Sequence, residues 1–141
     1  MSMKAAEYAS AFCDAFGAEL HVVHVCMPMV SPYLAVPHSS GVDFSMSDVE
    51  VKADAKVRLE KVTKDLFAER PSIVYEAVVG APWAGICDYA KRVGIDLIVI
   101  ATHGLTGLHH VLIGSTAERV VQHAQCLVLA VKNVEKDFMV T

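Results

Sequence analysis

Two hydrophobic periodicities alternate four times along this chain, and that alternation restricts its fold more than any other feature. Apolar residues recur at helical spacing over residues 4–16 and are followed by a β-branched run, "LHVVHV", at 20–25. A second helical stripe, Val51, Ala55, Leu59, Val62 and Leu66, precedes "SIVYEAVV" at 72–79. A third pattern over 82–93 leads to "DLIVIA" at 96–101, and a fourth from Ser115 to His123 leads to "CLVLAV" at 126–131. Helix–strand alternation of this kind gives an α/β fold: an open, mainly parallel sheet with right-handed crossovers and helices on both faces. Strands such as "DLIVIA" are apolar nearly throughout, as coverage on both faces requires.

Punctuation residues place the boundaries. Gly17 and Gly94 stop the helices before them, and Pro82 suits a first helical turn. Ser47 with Glu50 reads as a capping box, and Asp54 with Arg58 and Glu60 with Lys64 pair at i,i+4 on a solvent face. Pro28, Pro32, Pro37 and Gly41 make 27–44 a long loop, a binding lid or a mobile connection. Residues 132–141 form a patternless tail, and no repeat or linker divides the chain, so 1–141 is expected to be one domain.

Composition excludes several classes. Net charge is −4, from 12 basic and 16 acidic side chains, which disfavours a broad nucleic-acid surface. No apolar run reaches the roughly 20 residues that span a bilayer, and the first residues carry no signal-peptide pattern. A cytoplasmic protein is expected, with some apolar surface committed to a partner. Cys13, Cys26, Cys87 and Cys126 form no CxxC and sit in apolar segments, as reduced core cysteines would.

The stretch "ATHGLTGLHHVLIGSTAERV", residues 101–120, joins a strand to a helix at the end of the sheet where ligands bind. Gly104 and Gly114 permit positive φ or close backbone approach. Ser115 reads as an N-cap with Glu118 completing a capping box, so the amides of Ser115, Thr116 and Ala117 would face an anion. A glycine before an N-cap serine also occurs where nothing binds. The stretch has neither GxxxxGK nor GxGxxG, and no lysine to reach a terminal phosphate.

From these residues the chain resembles the universal stress protein family. Nucleotide-binding members carry glycine, two residues, glycine, nine residues, then glycine with serine or threonine. Here Gly104, residues 105–113 and Gly114-Ser115 fill the last two thirds, with Ala101 at the first glycine position and Leu105 where a basic residue would help phosphates. The resemblance extends through "GAELHVVHV" and "VVGAPWAGICDYAKRVGIDLIVIATHG". It implies an adenine nucleotide alpha hydrolase-like sheet in the order 3-2-1-4-5. It also implies that the family's first strand is absent from this chain, the natural product starting upstream of an internal methionine.

The resemblance further implies ATP or another adenine nucleotide, with magnesium as a companion ion. Gly104, Gly114 and Ser115 would touch phosphates with Thr116 close by. Ala101 and Thr102 would lie near the ribose–phosphate crossing, and Val25 near adenine. The implied role is a nucleotide-binding regulator of stress adaptation, a homodimer through the Cys126–Val131 strand. The alternative is a structural or signalling homodimer of the same family that binds no nucleotide, and slow ATP hydrolysis is a third reading.

Other residues invite chemistry without supporting it. His103, His109 and His110 surround the same loop but lack a carboxylate or cysteine at ligand spacing, so no metal site is expected. His21 and His24 differ in strand parity and cannot share a pocket, and His123 reads as a surface residue. Asp14, Asp43 and Asp48 could approach a ligand, but nothing pairs them. Met27 and Met29 beside Tyr33 fit a seam between loop and sheet better than a purine cover, and Trp83 fits helix-to-sheet packing. No catalytic residue is assigned.

Overall fold

The alternation read from the sequence is present throughout the computed structural model, which describes residues 3–27, 47–68, 70, 72–102 and 113–132. The order is α1 (Met3–Phe16), β1 (Leu20–Cys26), α2 (Asp48–Thr63), β2 (Ile73–Val79), α3 (Pro82–Val93), β3 (Leu97–Ala101), α4 (Ser115–His123) and β4 (Leu127–Val131). A 3-10 turn at Lys64–Phe67 continues α2. The expected loop at 27–44, apart from Met27, and the tail, apart from Lys132, lie outside the described residues.

Strand parity sorts the layers. Leu20 and Val22 point to one face of β1, where they join Ala6 and Cys13 of α1 and Phe67 in one buried cluster. Half-buried Leu59, Leu66, Ile73 and Tyr75 pack around it. His21 and Val25 point to the other face, where His21 bonds Tyr89 and Val25 lies against Gly85, both on α3. α3 in turn packs on α4, so helices cover both faces.

The sheet requires two corrections. The first strand is present: β1 is seven residues long and pairs in parallel register with β2 from Leu20–Ile73 to Cys26–Val79. Its β-branched run and the burial of Leu20 and Val22 under α1 and α2 suffice to form it. Among the described residues a single sheet in the order 3-2-1-4-5 is also not found. The strands form two parallel pairs, β1 with β2 and β3 with β4. β1 and β3 flank a cavity of about 530 Å³ instead of exchanging ladder bonds.

Local signals behaved as chemistry dictates. Gly17 has φ of 62° and Gly94 has φ of 78°, left-handed turns that close α1 and α3 without a Cβ penalty. Asp54 and Arg58 pair at 2.9 Å. Along α2, Val62 is 68% exposed while Thr63 is fully buried. The inward stripe runs 51, 55, 59, 63, and the Thr63 hydroxyl meets its hydrogen-bonding need by donating to the Leu59 carbonyl at 2.9 Å.

The capping box of α2 is formed, the Glu50 amide donating to Ser47 Oγ and the Ser47 amide to Glu50 Oε2. The Ser47 amide first, and then the Ser47 hydroxyl donating to the same Oε2 at 3.0 Å, hold the Glu50 carboxyl below its usual range. A lowered folded pKa means that this support is complete above the ordinary carboxyl pKa and disappears as pH falls through the lowered one. Ser47→Ala is therefore expected to lower the thermal midpoint by about 3 °C at neutral pH. In melting curves taken at successively more acidic pH the difference should shrink, because the glutamate half of the box is lost as the carboxyl protonates.

Candidate functional site

The last strand-to-helix joint is built by two backbone hydrogen bonds. Ala101 ends β3 in register with Val131 of β4, and the Thr102 amide donates to the Val131 carbonyl at 2.9 Å. The Thr102 carbonyl then accepts from the Gly114 amide at 2.6 Å. Thr102 and Gly114 are thus tied together at the carboxyl end of β3. Thr102 is 2% exposed, so this tie is inside the molecule.

Gly114 has a purpose the sequence did not reveal. Its φ is −70° and ψ 150°, an extended conformation open to any residue. What demands glycine is proximity: a Cβ there would stand 2.9 Å from the Thr102 carbonyl oxygen. Gly114, not Ser115, is the N-cap of α4, and Ser115 is the first helical residue. The expected Ser115–Glu118 capping box is corrected accordingly. Glu118 makes the first helical bond, its amide donating to the Gly114 carbonyl at 3.0 Å.

A glycine N-cap has no side chain to offer, and no side-chain cap is formed. The amides of Ser115, Thr116 and Ala117 precede the first intrahelical bond and point out of the helix end, where its dipole is positive. Such a turn can hold an oxyanion. Ser115 is exposed, Thr116 half-buried and Ala117 buried.

The structure therefore brings Ala101, Thr102, Gly114, Ser115 and Thr116 into one joint. Val25 is placed differently, at the carboxyl end of β1 in register with Val78 and against α3 at Gly85. Gly104, Leu105, His103, His109 and His110 lie outside the described residues, as do Asp43, Met29 and Tyr33. Asp14 accepts from Arg70 at 2.7 Å, and Asp48 opens α2. Trp83 links α3 to α4: its ring lies 4.8 Å from that of His123, with the Arg119 guanidinium 5.8 Å away.

Tyr89 was missed by the sequence reading, although it follows Ile86 by three positions on the buried stripe of α3. It is 5% exposed, and its hydroxyl stands 2.7 Å from His21 Nδ1. His21 Nε2 lies 2.6 Å from Glu19 Oε1. A carboxylate only accepts, so Nε2–H donates to Glu19, and in the neutral ring that leaves Nδ1 to accept from the tyrosine. Burial first, then the Glu76 charge, pushes the Tyr89 phenol up, with Arg92 opposing. Burial likewise raises Cys87 and Cys126. Among the described residues no group of three or more histidine, cysteine, aspartate or glutamate side chains could hold a metal ion, and no helix is long and apolar enough to cross a membrane.

Comparison with known proteins places this geometry. A family model described as the universal stress protein family matches residues 1–132. Universal stress protein MJ0531 of Methanocaldococcus jannaschii is 34% identical over 137 residues, covering 97% of this chain and 78% of that protein. The solved structure of protein MJ0577 of the same organism superposes with a TM-score of 0.70 at 25% identity, over 94% of this chain and 88% of that one. UspA from Lactobacillus plantarum superposes with a TM-score of 0.67 at 29% identity, over 91% and 87%.

Proposed function

The chain belongs to the universal stress protein family, and we propose that it is an adenine-nucleotide-binding member, with ATP as the favoured ligand, serving as a regulator in stress adaptation. One observation carries the reading: the uncapped first turn of α4, held to the carboxyl end of β3 by the Gly114–Thr102 hydrogen bond. Amides of Ser115, Thr116 and Ala117 would take phosphate oxygens, and Gly104 would approach the same phosphates from the loop. Thr102 and Ala101 would stand beside the ribose, and Val25 beside the base. The chemistry proposed for this joint is binding. Any magnesium would be held by the phosphates.

Calorimetric titration tests the reading. ATP is expected to bind more tightly than AMP, since more phosphate oxygens meet the amides, and to raise the thermal midpoint with the logarithm of its concentration above the Kd. No heat with either nucleotide, and no gain in midpoint, would overturn it.

A second reading, a family member that acts as a nucleotide-free homodimer, rests on two observations. Ala101 stands where nucleotide-binding members carry the first glycine. Among the described residues β4 pairs only with β3, and its other side offers an edge whose Leu127 is 74% exposed. In either reading β4, extended by Cys126, would pair with its copy. Light scattering that gives a monomer at working concentrations would remove the dimer from both.

A further inference from the structure

Gly85 lies one turn inside α3, where glycine costs the helix backbone entropy that alanine would not. It has no left-handed φ to satisfy, so no turn requires it. Proximity does. A Cβ there would stand 2.9 Å and 3.1 Å from the two γ-methyls of Val25 and 3.1 Å from Cγ2 of Val78. Val25 and Val78 are register partners, one position before the carboxyl end of the β1–β2 ladder. The approach to α3 is tied to the same end, the Gly80 amide donating to the Cys26 carbonyl at 2.9 Å. Rotation of Val25 gives no relief. Its two methyls share three staggered positions, so every rotamer keeps at least one of the two contacted positions filled. Lifting α3 would pull on the Gly80–Cys26 tie. An added carbon at Gly85 therefore displaces the end of β1 itself.

We propose that Gly85 is a positioning residue for the base of the bound nucleotide and sets the preference for a purine. The inference rests on the nucleotide reading above, in which Val25 stands beside the base, and adds what holds Val25 in place. Phosphates gripped at the start of α4 and a base met at the end of β1 are held by different elements. Gly85 bears on the second, since the atoms nearest its Cβ direction all belong to β1 and β2. It touches no ligand and acts through Val25. A shift of about 0.5 Å at the strand end is enough to spoil a base contact, while the turn that takes the phosphates stays where it is.

Calorimetric titration of the full chain with ATP and CTP isolates the base, because the two share ribose and triphosphate. The parent is expected to prefer ATP, whose purine reaches Val25 where the smaller pyrimidine falls short. Gly85→Ala is expected to lower ATP affinity about tenfold and CTP affinity at most about twofold. Val25→Ala removes both crowded methyls, so in that background Gly85→Ala should change ATP affinity by less than about twofold. Circular dichroism is expected to show Gly85→Ala folded, the helix propensity of alanine offsetting part of the crowding. An unfolded variant, or equal losses for ATP and CTP, would mean a glycine that serves the fold alone and would overturn the proposal. So would ATP affinity equal to the parent's, or a loss that persists without the Val25 methyls. A parent that binds ATP and CTP equally would overturn it while leaving phosphate binding at α4 standing. A parent that binds neither would remove the nucleotide reading and this proposal together.

Discussion

Replacing Ser115 with proline is expected to reduce ATP affinity by about 10- to 100-fold while leaving the thermal midpoint within roughly 2 °C of the parent. Proline at the first helical position removes one N–H that the helix itself does not use, and its fixed φ suits that position. The residue before it must be extended, and Gly114 already is, at φ −70° and ψ 150°. The substitution thus deletes a donor without disturbing the turn. Ser115→Ala removes the hydroxyl and keeps the amide, so it should lose far less affinity. Titration of the two variants side by side separates backbone from side-chain binding. A proline variant that bound ATP as tightly as the parent would place the phosphates elsewhere.

Gly114→Val should have the second largest effect. The added Cβ meets the Thr102 carbonyl oxygen at 2.9 Å, inside the tie that positions the whole joint. The obstacle is backbone, which cannot swing aside as a side-chain tip can. A loss of about 2 kcal/mol or more is expected, lowering the midpoint by about 8 °C, together with loss of nucleotide binding. Gly114→Ala should reproduce most of it, since the first carbon does the damage. Urea unfolding of the alanine variant measures this directly. Stability equal to the parent would mean that the contact can relax at no cost, and glycine would need another explanation.

Much of the fold was legible because its signals are short-range. The bounds of α3 and α4 followed from Pro82, Gly94 and the helical stripes, and the α2 start from Ser47 and Glu50. The candidate joint was located by glycine spacing and its position after β3. Misreadings arose where two segments distant in sequence meet. The Gly114 requirement depends on Thr102, and Val62 and Thr63 exchange places once α2 meets its neighbours. None of these partners is visible in a local window.

The amino-acid order by itself determined the alternation of helices and strands, their ends, and the family likeness, because hydrophobic period, proline and glycine act within a few residues of backbone. Only the tertiary structure decided that the strands form two pairs with a gap between β1 and β3. It alone decided that α4 begins uncapped against the Thr102 carbonyl, and that Tyr89 and His21 meet inside. Those outcomes depend on how side chains from separate elements fill shared space. Volume and backbone edges are settled by whichever surfaces come together, and neither is encoded in any one segment.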